Sequence, residues 1–260
     1  VSQRIAVLGA GGVMGSLVRS RLEEADQEVV PISRAHGVDV LDVSALRTAL
    51  AGVDVVVDCL NRPSLTSGPA VRFFRTAAEN VVAALGDETS RRGELPRIVC
   101  VSIVNCWEPR VNRWLGYYQA KSIQEQVYRS APSSARRVSI VRTTQWFELL
   151  STFLDQIRLG PLAVVPAVVT RPLAAAEAAD VVADQALSRA PESTLEVCGP
   201  EEMDMARAAA QYNLRAQQVG RVMRLPVGLT SLGDGSLIPA APDVVASTTF
   251  EQWLAEQSAV

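Results

Sequence analysis

Histidine is almost absent from this chain: His36 is the only one in 260 residues. That scarcity argues against a zinc site built on imidazoles and against a Ser-His-Asp hydrolase, and no metal site is expected. Cysteine is sparse as well. Cys59, Cys100, Cys106 and Cys198 form no C-x-x-C pair, and three of them fall in or beside apolar strand-like runs, where a thiol behaves as a small hydrophobe. A reduced, cytoplasmic protein is the expectation, and a chain of this length needs no staples because it buries roughly 70–75% of its unfolded surface. There is no basic excess either. The formal net charge is −3, which leaves no electrostatic footprint for nucleic acid, and Arg91-Arg92 reads as part of a solvated loop. Long apolar runs are missing: the best candidate, Pro161 to Ala179, is broken by Pro166, Arg171, Pro172 and Glu177, so no membrane partner is expected. The chain opens directly on a strand, and no signal peptide is expected.

Glycine, by contrast, is concentrated where it matters. Residues 4–15 run Arg-Ile-Ala-Val-Leu-Gly9-Ala-Gly11-Gly12-Val13-Met14-Gly15, an apolar strand breaking into a glycine-rich turn that opens a helix. Gly9 lets the chain leave the strand tightly, Gly12 keeps a Cβ away from a pyrophosphate, and Gly15 allows close packing of the helix on the sheet. The spacing Gly9-x-x-Gly12-x-x-Gly15 fits better than G-x-G-x-x-G, which would require glycine at Met14. Backbone N–H groups from Gly11 to Gly15 would then face the phosphates of a dinucleotide. A purely structural glycine turn is the competing reading.

Through the first half, short apolar runs alternate with helical patterns, the signature of βαβ units. Strands are predicted at Ile5–Leu8, Glu28–Ile32, Val38–Val40, Asp54–Asp58, Arg97–Ile103 and Arg137–Arg142. Helices are predicted at Val13–Glu24, Ser44–Ala49, Pro69–Leu85 and Tyr117–Arg129. Past Gln145 the pattern gives a helix through Ile157, a Pro-rich stretch from Pro161 to Pro172, a helix over Ala174–Arg189, a strand at Thr194–Val197 and a helix from Glu201. An irregular segment over residues 226–243 precedes a last helix at Thr249–Glu256. The expected fold is α/β, a doubly wound parallel Rossmann sheet with a small C-terminal substrate lobe. The whole chain reads as one domain, with a core over about 1–145 and the lobe over about 146–260.

Three groups of residues carry chemistry. The second strand ends in Ser33-Arg34, about 20 residues beyond Gly15, where an NAD-binding chain would place a carboxylate for the ribose hydroxyls. Arginine there forks onto a 2′-phosphate and points to NADP(H), or it is simply solvated. Asp42-Val43 is placed for a carboxylate to meet an adenine amino group, or for Asp42 to cap the helix that follows. Tyr117-Tyr-Gln-Ala-Lys121 sets Tyr117 and Lys121 one helical turn apart, with Ser102 fifteen residues earlier near the end of a strand. An ammonium near a phenol lowers the phenol's pKa and a neighbouring hydroxyl can bond a substrate oxygen, which makes a proton-delivery device. A surface pair on a helix is the bland alternative.

These residues, with the strand Arg97 to Val104 and the run Ser139-Ile-Val-Arg-Thr-Thr-Gln145-Trp-Phe, make the chain resemble the short-chain dehydrogenase/reductase superfamily, and more closely its atypical NmrA-like branch. The resemblance is strongest over residues 4–147. It implies that Asn61 begins the loop beside the nicotinamide ribose, that Ser102 and Tyr117 flank a reducible carbonyl, and that Lys121 also binds the ribose. It further implies that Thr143, Thr144 and Gln145 contact the nicotinamide end. Many relatives carry a proline-containing turn where this chain has Arg142-Thr143-Thr144-Gln145, and the branch includes cofactor-binding members without activity.

The expectation is therefore an NADP(H)-dependent oxidoreductase acting on a small molecule. The alternatives are a non-catalytic NADP sensor, or an epimerase or dehydratase using bound NADP. Trp107, Trp114 and Trp146 follow strand ends at the expected crevice, with Phe147 beside the third. They predict a bulky apolar or aromatic substrate, directed by Gln145 and with Arg110 and Arg113 either recruiting an acidic group or facing solvent. Core packing is the other reading for Trp146 and Phe147. A homodimer is compatible with the sequence, which fixes no oligomeric state.

Overall fold

The computed structural model describes residues 2–62, 67–92, 96–113, 115–131, 138–227 and 232–257. The first elements are β1 (Arg4–Leu8), α1 (Val13–Glu24), β2 (Glu28–Ile32), α2 (Val43–Ala49), β3 (Val55–Asp58), α3 (Ser67–Arg92), β4 (Arg97–Ile103), α4 (Pro109–Asn112), α5 (Gly116–Ser130) and β5 (Val138–Thr143). They are followed by α6 (Leu149–Gln156), β6 (Arg158–Leu159), β7 (Leu162–Pro166), β8 (Val169–Thr170), α7 (Ala175–Leu187), β9 (Thr194–Cys198), β10 (Met203–Asp204), α8 (Met205–Ala216), β11 (Arg221–Leu225), β12 (Val244–Val245) and α9 (Phe250–Glu256). A parallel seven-stranded sheet runs in the order β12-β9-β5-β4-β3-β1-β2, the Rossmann-like α/β fold expected from the sequence. The chain divides into two compact units, residues 1–142 with 179–195 and residues 143–178 with 196–260.

In the first unit β1 pairs with β2 on one side and β3 on the other, Ile5 standing opposite both Val29 and Val55. The strand order therefore reverses between β1 and β3, and such a reversal opens a crevice at the carboxyl ends of the strands. Buried Met14, Val18 and Leu22 recur at every fourth position along α1. Ala70, Phe74, Ala77, Ala78, Val81, Ala84 and Leu85 give α3 the same kind of stripe, and all seven join one core with Leu8, Val56, Ile98 and Ile140. Burying a side chain the size of Phe74 stabilises by about 1.5–3 kcal/mol.

The strand predicted at Val38–Val40 does not form. Val38 N–H donates to Ser33 O, Leu41 N–H to Asp39 Oδ1 and Asp42 N–H to Asp39 O, so these donors are taken up in local turns rather than in a ladder. Val40 is buried and Val38 half-buried, the two sides of an apolar-polar-apolar run that reads as a strand in sequence. The short helix α4 and the strands β6, β7, β8, β10, β11 and β12 were not expected, and Glu201 precedes β10 rather than opening a helix.

The second unit has its own core. Phe147, Leu150 and Leu154 pack with Met205, Ala209, Phe250, Trp253 and Leu254. The Phe147 ring lies 5.5 Å from Phe250 and 5.3 Å from Trp253, and Tyr212 lies 5.9 Å from Trp253. A three-stranded sheet, β11-β7-β6, borders it. Among the described residues no helix is long and apolar enough to cross a membrane. All four cysteines are free and buried.

Candidate functional site

Each glycine of the turn can be tested by what a side chain would strike. Gly9 has φ +73°, and a Cβ there would stand 2.8 Å from the carbonyl oxygen of Cys59, just past β3. The turn therefore lies at the β1/β3 reversal. A Cβ on Gly15 would come within 2.2 Å of Gly9 O and 2.9 Å of Ala10 Cα. Gly15 is thus required where the helix presses on the turn that leaves β1. Gly12 is the N-cap of α1 and makes no side-chain cap bond, while Gly11, Gly12 and Val13 are exposed. Met14 turns inward at 3% exposure, so only its backbone can serve a ligand. The start of α1 is left open to an anion, as a dinucleotide phosphate would need.

Past β2, Ser33 precedes a single 3₁₀ turn, Arg34–His36, without a side-chain cap bond, and Gly37 closes the turn in the left-handed conformation. Arg34 is exposed. Ser33 Oγ is 2.7 Å from His36 Nδ1 and would stand 3.9 Å from a Cβ on Gly11, which sets this turn beside the glycine turn. Asp42 does cap α2: its Oδ1 accepts from Ser44 N–H at 2.9 Å, Ala45 N–H at 3.1 Å and Ser44 Oγ at 2.6 Å. The Ser44 hydroxyl, followed by the two amides, holds this carboxyl below its ordinary range. Val43 is the first residue of α2, and Asn61 is exposed just beyond β3.

Helix α5 carries the expected proton donor, but its inward face is polar far beyond the two residues singled out. Tyr118, Ala120, Lys121, Ser122, Gln124, Glu125 and Tyr128 are all buried. Tyr117 sits edge-on to Phe74 at 5.8 Å, and Lys121 Nζ lies 4.7 Å from the centre of the same Phe74 ring. The sequence reading held that Lys121 depresses the Tyr117 phenol. It does pull in that direction, yet burial outweighs it and the phenol is held above its ordinary value. Burial pulls the pKa of the Lys121 ammonium down, but the surrounding Tyr117, Cys100, Asp58 and Cys106 outweigh it and leave it raised.

The hydroxyl of Ser102 lies 3.8 Å from Cys106 Sγ. Cys106 in turn donates to Glu125 Oε1 at 3.3 Å, and burial pushes its thiol well up. Glu125 is completely buried, and Arg142 clasps it with two bonds, Nε to Oε1 at 3.0 Å and Nη2 to Oε2 at 2.8 Å. Trp107 Nε1 adds a third at 2.7 Å while the residue stays 42% exposed. Burial would raise the Glu125 carboxyl, but the Arg142 guanidinium and its neighbours draw it below the usual range.

The remaining described candidates belong to the second unit. Thr143 and Thr144 are buried, Thr143 Oγ1 accepting from Trp146 Nε1 at 3.0 Å and Thr144 Oγ1 donating to Arg171 O at 2.5 Å. Gln145 is buried, its backbone carbonyl accepting from Leu173 N–H at 3.0 Å. Trp146 is partly buried, and Phe147, at 1% exposure, is a core residue, the alternative the sequence left open. Trp114 lies outside the described residues.

Sequence reasoning missed Asp58, Gln124, Glu125, Tyr128 and Arg142. A signal was present: Tyr117, Lys121, Gln124, Glu125 and Tyr128 follow one another at helical spacing, so a face containing the Tyr–Lys pair had to contain the others.

No protein-family model matches the chain, and no curated protein matches it in sequence. Its fold nevertheless resembles that of solved proteins. One is dTDP-4-dehydrorhamnose reductase from Bacillus anthracis in complex with NADP, with TM-score 0.69 and 13% identity over 98% of this chain and 97% of that one. Another is UDP-N-acetylglucosamine 4-epimerase from Bacillus cereus, with TM-score 0.68 and 15% identity over 99% and 96%. A third is the NADPH-dependent quinone oxidoreductase of Escherichia coli complexed with NADPH, with TM-score 0.68 and 16% identity over 97% and 99%. At such identities the likeness establishes a shared Rossmann-like fold.

Proposed function

We propose that this chain is an NADP(H)-dependent oxidoreductase of the atypical short-chain dehydrogenase/reductase type, in its NmrA-like branch, working in the reducing cytoplasm. Its substrate is a bulky, largely apolar or aromatic molecule bearing a carbonyl or activated double bond. The observation that carries the reading is the uncapped start of α1 at the β1/β3 reversal, with exposed Arg34 on the turn that follows β2. The N–H groups of residues 11–15 fit a pyrophosphate, and the Arg34 guanidinium fits a 2′-phosphate. Structural neighbours solved with NADP or NADPH support the same cofactor. When bound, NADPH supplies a hydride from its nicotinamide ring. Tyr117, kept protonated by burial, gives its phenolic proton to the reduced oxygen, and Lys121 stabilises the phenolate left behind. Ser102 donates a hydrogen bond to the substrate oxygen, and the Trp107 ring offers an apolar face.

The test is oxidation of NADPH against a panel of aromatic ketones, quinones and sugar nucleotides. Tyr117→Phe is expected to lower turnover by roughly 10²–10⁴-fold with cofactor binding retained. Arg34→Ala is expected to weaken NADPH by about 1.5–3 kcal/mol in calorimetry while leaving NADH nearly unchanged. Equal losses for both cofactors overturn the Arg34 assignment. Tight NADPH binding with no turnover makes the chain a sensor, and turnover confined to sugar nucleotides overturns the substrate class.

A further inference from the structure

Of the 25 lysine and arginine residues, Lys121 is the only lysine, and it is 2% exposed. Every other fixed cation is a guanidinium, so a compact ammonium with three donors is kept at one buried position alone. Its nitrogen lies 2.5 Å from Gln124 Oε1, with the Phe74 ring across from it. The Gln124 amide cannot be turned round, because its Nε2 donates to Asp58 Oδ2 at 2.6 Å; a flipped amide would set its oxygen against the carboxylate and its NH₂ against the ammonium. Asp58 is itself fixed. Oδ1 accepts Leu60 N–H at 2.9 Å and Oδ2 accepts Tyr128 O–H at 2.5 Å, so the group only accepts, the pattern of an ionised carboxylate.

We propose that Gln124 and Asp58 are positioning residues for Lys121, Asp58 supplying its countercharge and the Gln124 amide carrying that charge to the ammonium beside Tyr117. The groups facing Lys121 are Asp58 from β3, Cys100 from β4, Cys106 from the loop after it, Phe74 from α3, and Tyr117 and Gln124 from its own helix. Among these side chains Asp58 is the carboxylate, and Leu60 N–H, Gln124 Nε2 and Tyr128 O–H all donate to it. An ammonium this deeply buried loses its proton easily when such support is removed. The relay bears on catalysis only if Tyr117 and Lys121 act as proposed above, but the placement of charge holds without that premise.

A single lysine gives a direct measurement. In the 260-residue chain labelled with ¹³C-lysine, one ε-methylene signal reports the protonation of Lys121 without cofactor or substrate. Gln124→Leu and Asp58→Asn are each expected to lower its titration midpoint by roughly one pH unit or more, while Gln124→Glu, which sets an anion against the nitrogen, keeps or raises it. If Asp58→Asn unfolds, Gln124→Leu decides, since it leaves the Asp58–Tyr128 bond intact. A folded Gln124→Leu protein that titrates like the wild type overturns the proposal. Absence of NADPH binding overturns the functional reading instead, and the two failures are separate.

Discussion

Each unit uses a glutamate to hold a tryptophan, and the two pairs do opposite things. In the second unit Glu148 Oε1 accepts from Trp253 Nε1 at 3.1 Å, and its other oxygen takes the backbone N–H of Ala175 at 3.0 Å. Trp253 is 5% exposed and lies among Phe147, Phe250 and Tyr212. There the aromatic packing fixes the indole and the hydrogen bond satisfies its N–H. In the first unit Trp107 keeps much of its ring open, and Glu125 is held by Arg142. The carboxylate belongs to a charged network and the indole hangs from it. The same donor and acceptor thus close a core in one place and present an aromatic face in the other.

The contrast can be broken by substitution. Trp253→Ala is expected to cost about 3–5 kcal/mol in urea denaturation, the range for emptying an aromatic site in a core; a loss below about 1 kcal/mol would mean that the cluster does not hold the unit. Glu125→Gln comes next, at about 3 kcal/mol, because the Arg142 guanidinium then meets a neutral amide, and the lower end of the buried-pair range applies since Arg142 is 18% exposed. Its carboxyl is depressed in the folded state, so its contribution is complete above the unfolded value near about 4.3 and fades as pH falls through the folded one. Stability measured from pH 6 down to 3 should therefore fall less steeply in Glu125→Gln than in the wild type. Trp107→Ala is the smallest, under about 1 kcal/mol, since half-open rings add little and Glu125 retains Arg142. A loss comparable to that of Trp253 would show that both indoles are core.

Residues whose role follows from backbone geometry were legible from the sequence. Gly9 and Gly15 mark a turn that only glycine permits, and the stripes of α1 and α3 repeat at the helical period. Val38–Val40 misled because Val-Asp-Val alternates like a strand, although its neighbourhood is closed by local turns. The Tyr117–Lys121 pair was visible as a spacing, but its sign was not: the depth that raises the phenol is set by Phe74 and by strands far away in the chain. Asp58 and Arg142 escaped for the same reason. Their partners are 66 and 17 residues distant, and no local pattern connects them.

The solitary lysine also gives the chain an unusual chemical silence. Reagents that acylate amines find no side-chain target on its surface, and the one that exists lies beneath α5 against Phe74. Modification of Lys121 must wait for α5 to part from α3. Its rate under a large excess of reagent is therefore a clock for local opening in the first unit, read at a single atom without any engineered label.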